Sequence, residues 1–420
     1  MYNSNPKTPS DYAIIIAIDW ADQKHDFRIR RGNKDETKVI SNNLRELKEF
    51  FIELIEEAQW QQVAVVIENC RSALMNLMQT IQQLDIYAVH PIMSSRFAQT
   101  FHPSGAKSDV ADTESLMELY LKHYTKIKPL KHSKSQSNLE KLNTRRRHLV
   151  DERTRLTNQL TAHLKIYYPT ALGAVGSYIH ADIFLAFLEK YSSPQDVLSC
   201  AQIGLTKFFN KRTSNKGKTK ERVKALRESI VVVEDREELD IYVFETLQYC
   251  KRITGLNQIV KAYEAKIKEQ YLKNEDFEIF SSLPGAGPAI GPRIMAFFGN
   301  DRNSFNSVED ALRASEIAPV KIESGKMCIV RRRFLCDRFT QLSFVEFANN
   351  SRKSSLWAQE FYTQKKAKGM AHFCILRALA YKWIRIIYRC WKSRTPYDES
   401  IYIKALNKRP NSLFKNMEKS

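Results

Sequence analysis

The stretch YAIIIAIDWADQKHDFRIR, residues 12–30, opens as a run of buried-strand residues and ends that run on a carboxylate, Asp19. An Asp in that place can simply begin a polar turn, or it can be an acid set at the end of a strand for a purpose. The segments that follow bear on the choice. DFRIRR and TKVI read as two further strands, and NLRELKEFFIELIEEA (43–58) carries apolar residues at helical spacing. QVAVVIEN (62–69) is a second fully apolar strand, SALMNLMQTIQQL a helix, and DIYAVHPI (85–92) a strand again. Strands alternating with helices predict an α/β sheet with helices packed on it.

Glu68 ends its apolar strand just as Asp19 ends the first. If those strands are neighbours, both carboxylates stand at one carboxyl edge, where α/β sheets place their chemistry. GAKSDVADTESLMELYLKHY then offers Ser108 as a helix N-cap with Asp109 and Asp112 three residues apart, on one helix face. First-turn acids also suit the helix dipole, which is the plainer account of Asp109, Asp112 and Glu114. Taken together, Asp, Glu and D-x-x-D in this order form the arrangement of an RNase-H-like nuclease. Four hard oxygen donors suit one or two Mg²⁺ ions at a phosphodiester.

Composition narrows the partners. Of 420 residues, 43% are hydrophobic and 27% charged, which predicts folded, soluble domains. No apolar run approaches the length of a membrane span, and the N-terminus lacks a signal-peptide core, so no membrane partner is expected. The seven cysteines (70, 200, 250, 328, 336, 374 and 390) contain no C-x-x-C pair, which fits a reducing cytoplasm better than a disulfide framework. A formal charge of +19 favours a polyanion, and nucleic acid above all, because the basic residues are spread over structured-looking segments.

Beyond residue 130 the pattern becomes helical. SNLEKLNTRRRHLVDERTRLTNQLTAHLKIYYP carries Leu142, Leu149 and Leu156 at heptad spacing, with Leu139 and Leu160 at companion positions interrupted by Arg146 and Arg153. This predicts a long helix ending at Pro169. TSNKGKTKERV reads as a basic flexible link, followed by one long helix over 221–274. Two such helices running antiparallel would form a coiled-coil arm for dimerisation. The expected domains are therefore an α/β unit (1–130), an all-α coiled-coil middle (131–275), a helical C-terminal part (276–405) and a polar tail (406–420).

Two segments in the C-terminal part carry candidate chemistry. In SSLPGAGPAIGPRIMAFFG, Gly285 and Gly287 form a helix-hairpin-helix-like turn, whose amides either cradle a phosphate or only shape the chain. In IAPVKIESGKMCIVRRR, Ser324 stands next to Gly325 among Lys321, Lys326, Arg331, Arg332 and Arg333. Those cations could steady a phosphoryl oxyanion beside a nucleophile, or could line an ordinary DNA-binding loop.

With both sets of residues in view, the chain resembles the insertion-sequence-110 transposases, the DEDD enzymes described as bridge-RNA-guided recombinases. The motifs AIDWADQKHD, VVIEN, KSDVADTESL, LPGAGPAIGPRIMAFFG, IAPVKIESGK, VEFANNSRKSSLWAQEFYTQKKAKG and RALAYKWIRIIYRCWKSRTPYDES carry the resemblance over roughly residues 12–400. It implies a RuvC-like N-terminal domain, metal-binding roles for Asp19, Glu68, Asp109 and Asp112, and Ser324 as the nucleophile that attacks DNA. It also implies Mg²⁺, DNA at element ends and target, a structured guide RNA, a dimer or tetramer, and a bacterial, nucleoid-associated setting. Residues 170–220 match the family pattern least, and MCIVRRRFLCDRF replaces its usual Ser-Lys-Arg-Gly-like turn. A RuvC-type structure-selective endonuclease with an incidental Ser324 is the competing expectation. A non-catalytic nucleic-acid-binding protein is the third.

Overall fold

The computed structural model describes residues 7–68, 72–101, 109–127, 129–130, 137–176, 178–213, 215–324, 327–331 and 337–407. It divides into two compact units, Met1–Lys134 and Ser135–Ser420.

In the first unit, five strands form one sheet: β1 (Ile14–Trp20), β2 (Lys24–Arg31), β3 (Lys34–Ser41), β4 (Val63–Glu68) and β5 (Leu84–Val89), in the order β3-β2-β1-β4-β5. β1, β4 and β5 run parallel, and the hairpin partners β2 and β3 are antiparallel. The β1–β2 turn is tied by buried His25, whose Nδ1 accepts from the Ala21 amide while Nε2 pairs with Asn42 Oδ1. Helices α1 (Leu44–Glu57), α2 (Ala73–Gln79), α3 (Pro91–Phe101) and α4 (Asp109–His123) complete the unit. Strand alternation sorts the core in two. Ile14, Ile16, Ile18, Val63, Val65 and Ile67 pack with α1 and α2, whereas Ile15, Ala17, Ala64 and Val66 pack with Leu116, Met117, Leu119 and Tyr120 of α4. This is the mixed α/β sheet expected of the N-terminal part.

The second unit begins with α5 (Ser137–Tyr167), which stops before Pro169 as its sequence requires, and continues through α6 (Pro169–Val175), α7 (Asp182–Lys190), α8 (Pro194–Ser199), α9 (Gln202–Asn210), α10 (Lys216–Arg227) and α11 (Arg236–Leu272). α5 and α11 lie antiparallel: Arg146 Nε donates to Glu264 at 3.0 Å, Arg153 Nη1 to Asn257 Oδ1 at 3.0 Å, and the Tyr167 and Tyr242 rings stack at 5.2 Å. The arginines that interrupt the leucine spacing thus reach across to α11.

Two expectations for this region are corrected. The basic segment read as a flexible link contains the first turns of α10, because Asn215 caps it and Thr219, Val223 and Leu226 face the core. The helix read over 221–274 is accordingly two, separated by residues 228–235. Three of the heptad leucines have their burial partners within the chain, and Leu142 and Leu149 are partly buried against the same cores. Leu156 and Leu160 are buried with Phe184, Phe187, Phe209, Leu226 and Ile253 of the same chain, and Leu139 packs into the C-terminal core.

That core is built by α12 (Phe277–Ser281), α13 (Gly287–Phe298), α14 (Val308–Ala314), the hairpin β6 (Val320–Ser324) and β7 (Met327–Arg331), then α15 (Arg338–Ser351), α16 (Leu356–Ala367), α17 (His372–Ser393) and α18 (Glu399–Asn407). Trp357, Trp383 and Trp391 are fully buried, and each indole N–H is satisfied, by Tyr397 Oη, Ser351 Oγ and the Gly299 carbonyl. The described cysteines, 200, 250, 328, 374 and 390, are free thiols.

Because Leu160 belongs to the intramolecular core, Leu160→Ala is expected to lower unfolding stability by about 2–5 kcal/mol. Urea titration measures the loss, and light scattering on the folded protein should show no change in oligomeric mass. A changed mass with unchanged stability would restore the intermolecular seam.

Candidate active site

The pairing of β1 with β4 ends at Ile18 opposite Ile67, so Asp19 and Glu68 are the next residues on adjacent parallel strands. Both have the parity of Ala17 and Val66 and therefore stand on the face that α4 covers. Across the antiparallel side, Asp19 pairs with Asp26 of β2, which shares that face and is 15% exposed. One rung of the sheet thus reads Asp26, Asp19, Glu68 and Val89. Directly opposed like charges on neighbouring strands repel, and a rung of three carboxylates is a natural place for a cation. Asp26 was not singled out from sequence. The alternation of KHDFRIRR marks its face, but only the β1–β2 register brings it opposite Asp19.

α4 brings the second acidic pair. Asp109 is its first residue, and Asp112 is half-buried on the side that continues into buried Leu116 and Leu119. The helix is docked by ion pairs from the same sheet face: Arg28 Nη2 lies 3.5 Å from Glu114, and Arg30 Nη2 lies 3.8 Å from Glu118. Glu114 therefore has a docking role, which separates it from Asp112. The side chain of Asp109 and the expected N-cap Ser108 lie outside the described residues. Among the described residues, no three His, Cys, Asp or Glu side chains converge closely enough to hold a metal. What fits a hard cation is the donor chemistry and its placement: carboxylates on two adjacent strand ends and on the helix above them.

In the second unit, Ser324 ends β6, paired in register with Met327 of β7. The hairpin exposes Glu323, Met327, Cys328, Val330 and Arg331. Lys321 lies within β6; its side chain and that of Ser324, together with Lys326, Arg332 and Arg333, are outside the described residues. Two other hydroxyls are better defined. Ser315 is fully buried and donates to the Leu312 carbonyl at 2.9 Å, so it is not available to a substrate. Tyr362 Oη pairs with His372 Nδ1 at 2.8 Å beneath the Arg352 guanidinium, 3.8 Å from the ring centre.

The two glycines of the turn have different roles. Gly285, at φ +81°, lies so close to α15 that a Cβ would come within 2.7 Å of the Asn350–Ser351 backbone. Gly287, at φ +51°, has open space around it and starts α13 beside a cleft of about 320 Å³ lined by Arg146, Lys268, Pro288 and Ala289.

The fold agrees with what comparison finds. A transposase family model for DEDD enzymes of the IS110 kind matches residues 16–169, and a Transposase IS116/IS110/IS902 family model matches residues 277–363. The chain belongs to the IS110 family of transposases. It is similar to the IS117 mini-circle protein of Streptomyces coelicolor, whose name describes a transposase, at 22% identity over 92% of this chain and 95% of that one. The insertion element IS900 42 kDa protein of Mycobacterium paratuberculosis is 23% identical over 61% of this chain and 64% of its own. The insertion element IS116 44.8 kDa protein of Streptomyces clavuligerus is 23% identical over 60% and 62% respectively. As a member of this family the chain is a DNA transposase. Among the described residues no helix is long and apolar enough to cross a membrane.

The glycine geometry makes a prediction. Gly285→Ala should cost about 1–3 kcal/mol in backbone strain and a similar amount in overpacking against α15. Gly287→Ala should cost only about 1–2 kcal/mol. Thermal unfolding of the two variants measures the difference; equal losses would remove the structural distinction between them.

Proposed function

We propose that this transposase cuts and rejoins DNA at element ends and target with a Mg²⁺-binding DEDD site in its N-terminal unit and Ser324 as nucleophile. The observation that carries the reading is the rung joining Asp19 and Glu68 on the sheet face beneath α4, with Asp109 and Asp112 at the start of that helix. Asp19, Glu68, Asp109 and Asp112 would hold the metal, which when bound supplies Lewis-acid stabilisation of phosphodiester oxygens. Arg28 and Arg30 hold α4 over the rung through Glu114 and Glu118, and so fix Asp112 relative to the strands. Asp26 adds negative charge beside Asp19 and strengthens the rung's preference for a cation.

Ser324 attacks a phosphodiester: its Oγ–P bond forms as the P–O bond to the deoxyribose breaks, and the serine proton ends on the leaving oxygen. The phosphoserine ester keeps the bond energy, so the reverse attack by a new strand end rejoins DNA without ATP. Lys321, Lys326, Arg331, Arg332 and Arg333 supply positive charge around the phosphoryl group, and the turn at Gly285 and Gly287 contributes backbone contact to DNA. The family resemblance and the +19 charge support a structured guide RNA and a dimer or tetramer on DNA. The nuclease unit, the helical middle and the C-terminal transposase part divide this labour near residues 130 and 275.

Asp112→Asn is expected to abolish strand cleavage while DNA affinity stays within about twofold, because no basic surface is lost. Cleavage that survives this substitution, or survives EDTA, would remove the metal site. For the serine, a stalled reaction run on a denaturing gel should show a protein–DNA adduct, absent in Ser324→Ala and retained in Tyr362→Phe. Free DNA ends and an active alanine variant would establish the water-using endonuclease instead. An adduct mapping to Tyr362, whose hydroxyl already pairs with His372, would move the nucleophile there.

A further inference from the structure

Residues 170–276 lie between the two family matches, and the structure gives part of that interval a distinct surface. α9 and α10, joined by residues 211–215, pack on one another and on the core of Leu160, Phe187 and Phe209. From Lys207 to Arg227 there are nine basic residues and one acid, Glu221. Arg227 is committed to structure, since its Nη1 lies 2.9–3.1 Å from the carbonyls of Val197, Leu198 and Cys200 at the end of α8. Lys207, Lys211, Arg212, Lys218, Lys220 and Lys224 are all exposed, and among the described residues none of these six makes an ion pair. Several basic residues elsewhere are neutralised by an acid, as Arg28, Arg30, Arg31, Arg146, Arg293 and Arg302 are, whereas this stretch gathers six exposed cations without one among the described residues. A folded surface that concentrates unneutralised cations costs self-repulsion, which a polyanion relieves.

We infer that α9 and α10 form a DNA-duplex docking surface, separate from the segments that the family models match. The inference rests on the chain being a DNA transposase and is independent of the metal and of Ser324. The shape selects the partner. α10 buries Thr219, Val223 and Leu226 and turns Lys220 and Lys224 outward, and an exposed helix fits the wide major groove of B-DNA while its lysines reach the flanking phosphates. The deep, narrow major groove of an RNA duplex excludes such a helix. Unpaired bases would need an aromatic platform, but Phe208 and Phe209 are buried, and Arg212 covers the Phe208 ring at 4.0 Å. Within TSNKGKTKERV, Lys218 and Lys220 thus belong to the outer face of an ordered helix.

The test is equilibrium binding of the full-length protein, without divalent metal, to a fluorescent 30-base-pair DNA duplex and to an RNA hairpin of equal charge, across a salt series. Lys211→Gln, Lys218→Gln and Lys224→Gln together should reduce the log–log salt slope for DNA by roughly 2.7, at about 0.9 per lost phosphate contact. Melting temperature should not move, and the non-overlapping pair Lys207→Gln with Lys220→Gln should give a slope reduction of roughly 1.8. A control carrying Lys34→Gln, Lys48→Gln and Lys126→Gln, all exposed in the first unit, should keep the wild-type slope. An unchanged slope in the α9–α10 variants, an equal loss in the control, or a loss confined to the RNA hairpin would overturn the assignment. No cleavage is read, so failure of the metal or serine chemistry leaves this result intact.

Discussion

The parallel pairing of β1 with β4 is the constraint on which the N-terminal unit depends. Both strands are apolar on both faces, so they can only be central, and a central position fixes their neighbours on each side. Their register sets Asp19 and Glu68 side by side, and a slip of one residue would turn every buried side chain over and carry one acid to the opposite face. Burial of Ile15, Ala17, Ala64 and Val66 under α4 therefore enforces the placement of the acids indirectly. Stability and acid geometry are specified by the same side chains.

The acids at strand ends resist that arrangement and must be held by their surroundings. Asp19 and Asp26 face one another across β1 and β2, and the same sheet face carries Arg28 and Arg30, which engage Asp35 as well as Glu114 and Glu118. Alternation along β2 thus interleaves one acid with two cations on one face. These cations are engaged by Asp35 of β3 and by Glu114 and Glu118 of α4, which leaves the rung at the strand ends as the acidic locus. The separation of Glu114 from Asp112 follows: two residues apart on a helix, they point about 160° apart, Glu114 toward Arg28 and Asp112 on the half-buried side of α4 that continues into Leu116.

How far the sequence could be read depended on whether a local pattern had one physical solution. The apolar runs IIIAI and VAVVI admit only buried strands, and Pro169 can only end a helix that approaches it, so these features were legible. The heptad leucines had two solutions. Leu156 and Leu160 satisfy their burial against α7, α9, α10 and α11 within the chain, and nothing in their spacing distinguishes that core from a second chain. The lysine-rich start of α10 was misread because Gly217 and the charge run outweigh a weak apolar stripe of Thr219, Val223 and Leu226. Asn215, which accepts from the Lys218 amide at 3.0 Å, was the available cue to its start. Asp26 was missed for a different reason: its importance comes from pairing with Asp19, a relation that exists only once the register is known.

The C-terminal part shows the same economy in another form. Its buried tryptophans each place one polar atom against one acceptor, and buried Asp276 receives the Arg302 guanidinium, with Nη1 2.7 Å from Oδ2, while that guanidinium lies 5.0 Å from the Trp391 ring. Such a core fixes its helices closely enough that α13 must approach α15 through Gly285, where no larger residue fits. The next glycine, Gly287, meets no such crowding, yet it too takes a positive φ to start α13 beside the Arg146 and Lys268 cleft. The first glycine of the turn is thus demanded by packing, and the second only by the direction the chain takes into α13. The cleft beside that helix start carries both signs of charge, because Glu264 holds Arg146 there alongside Lys268, so packing fixes the turn at Gly285 and chain direction fixes it at Gly287.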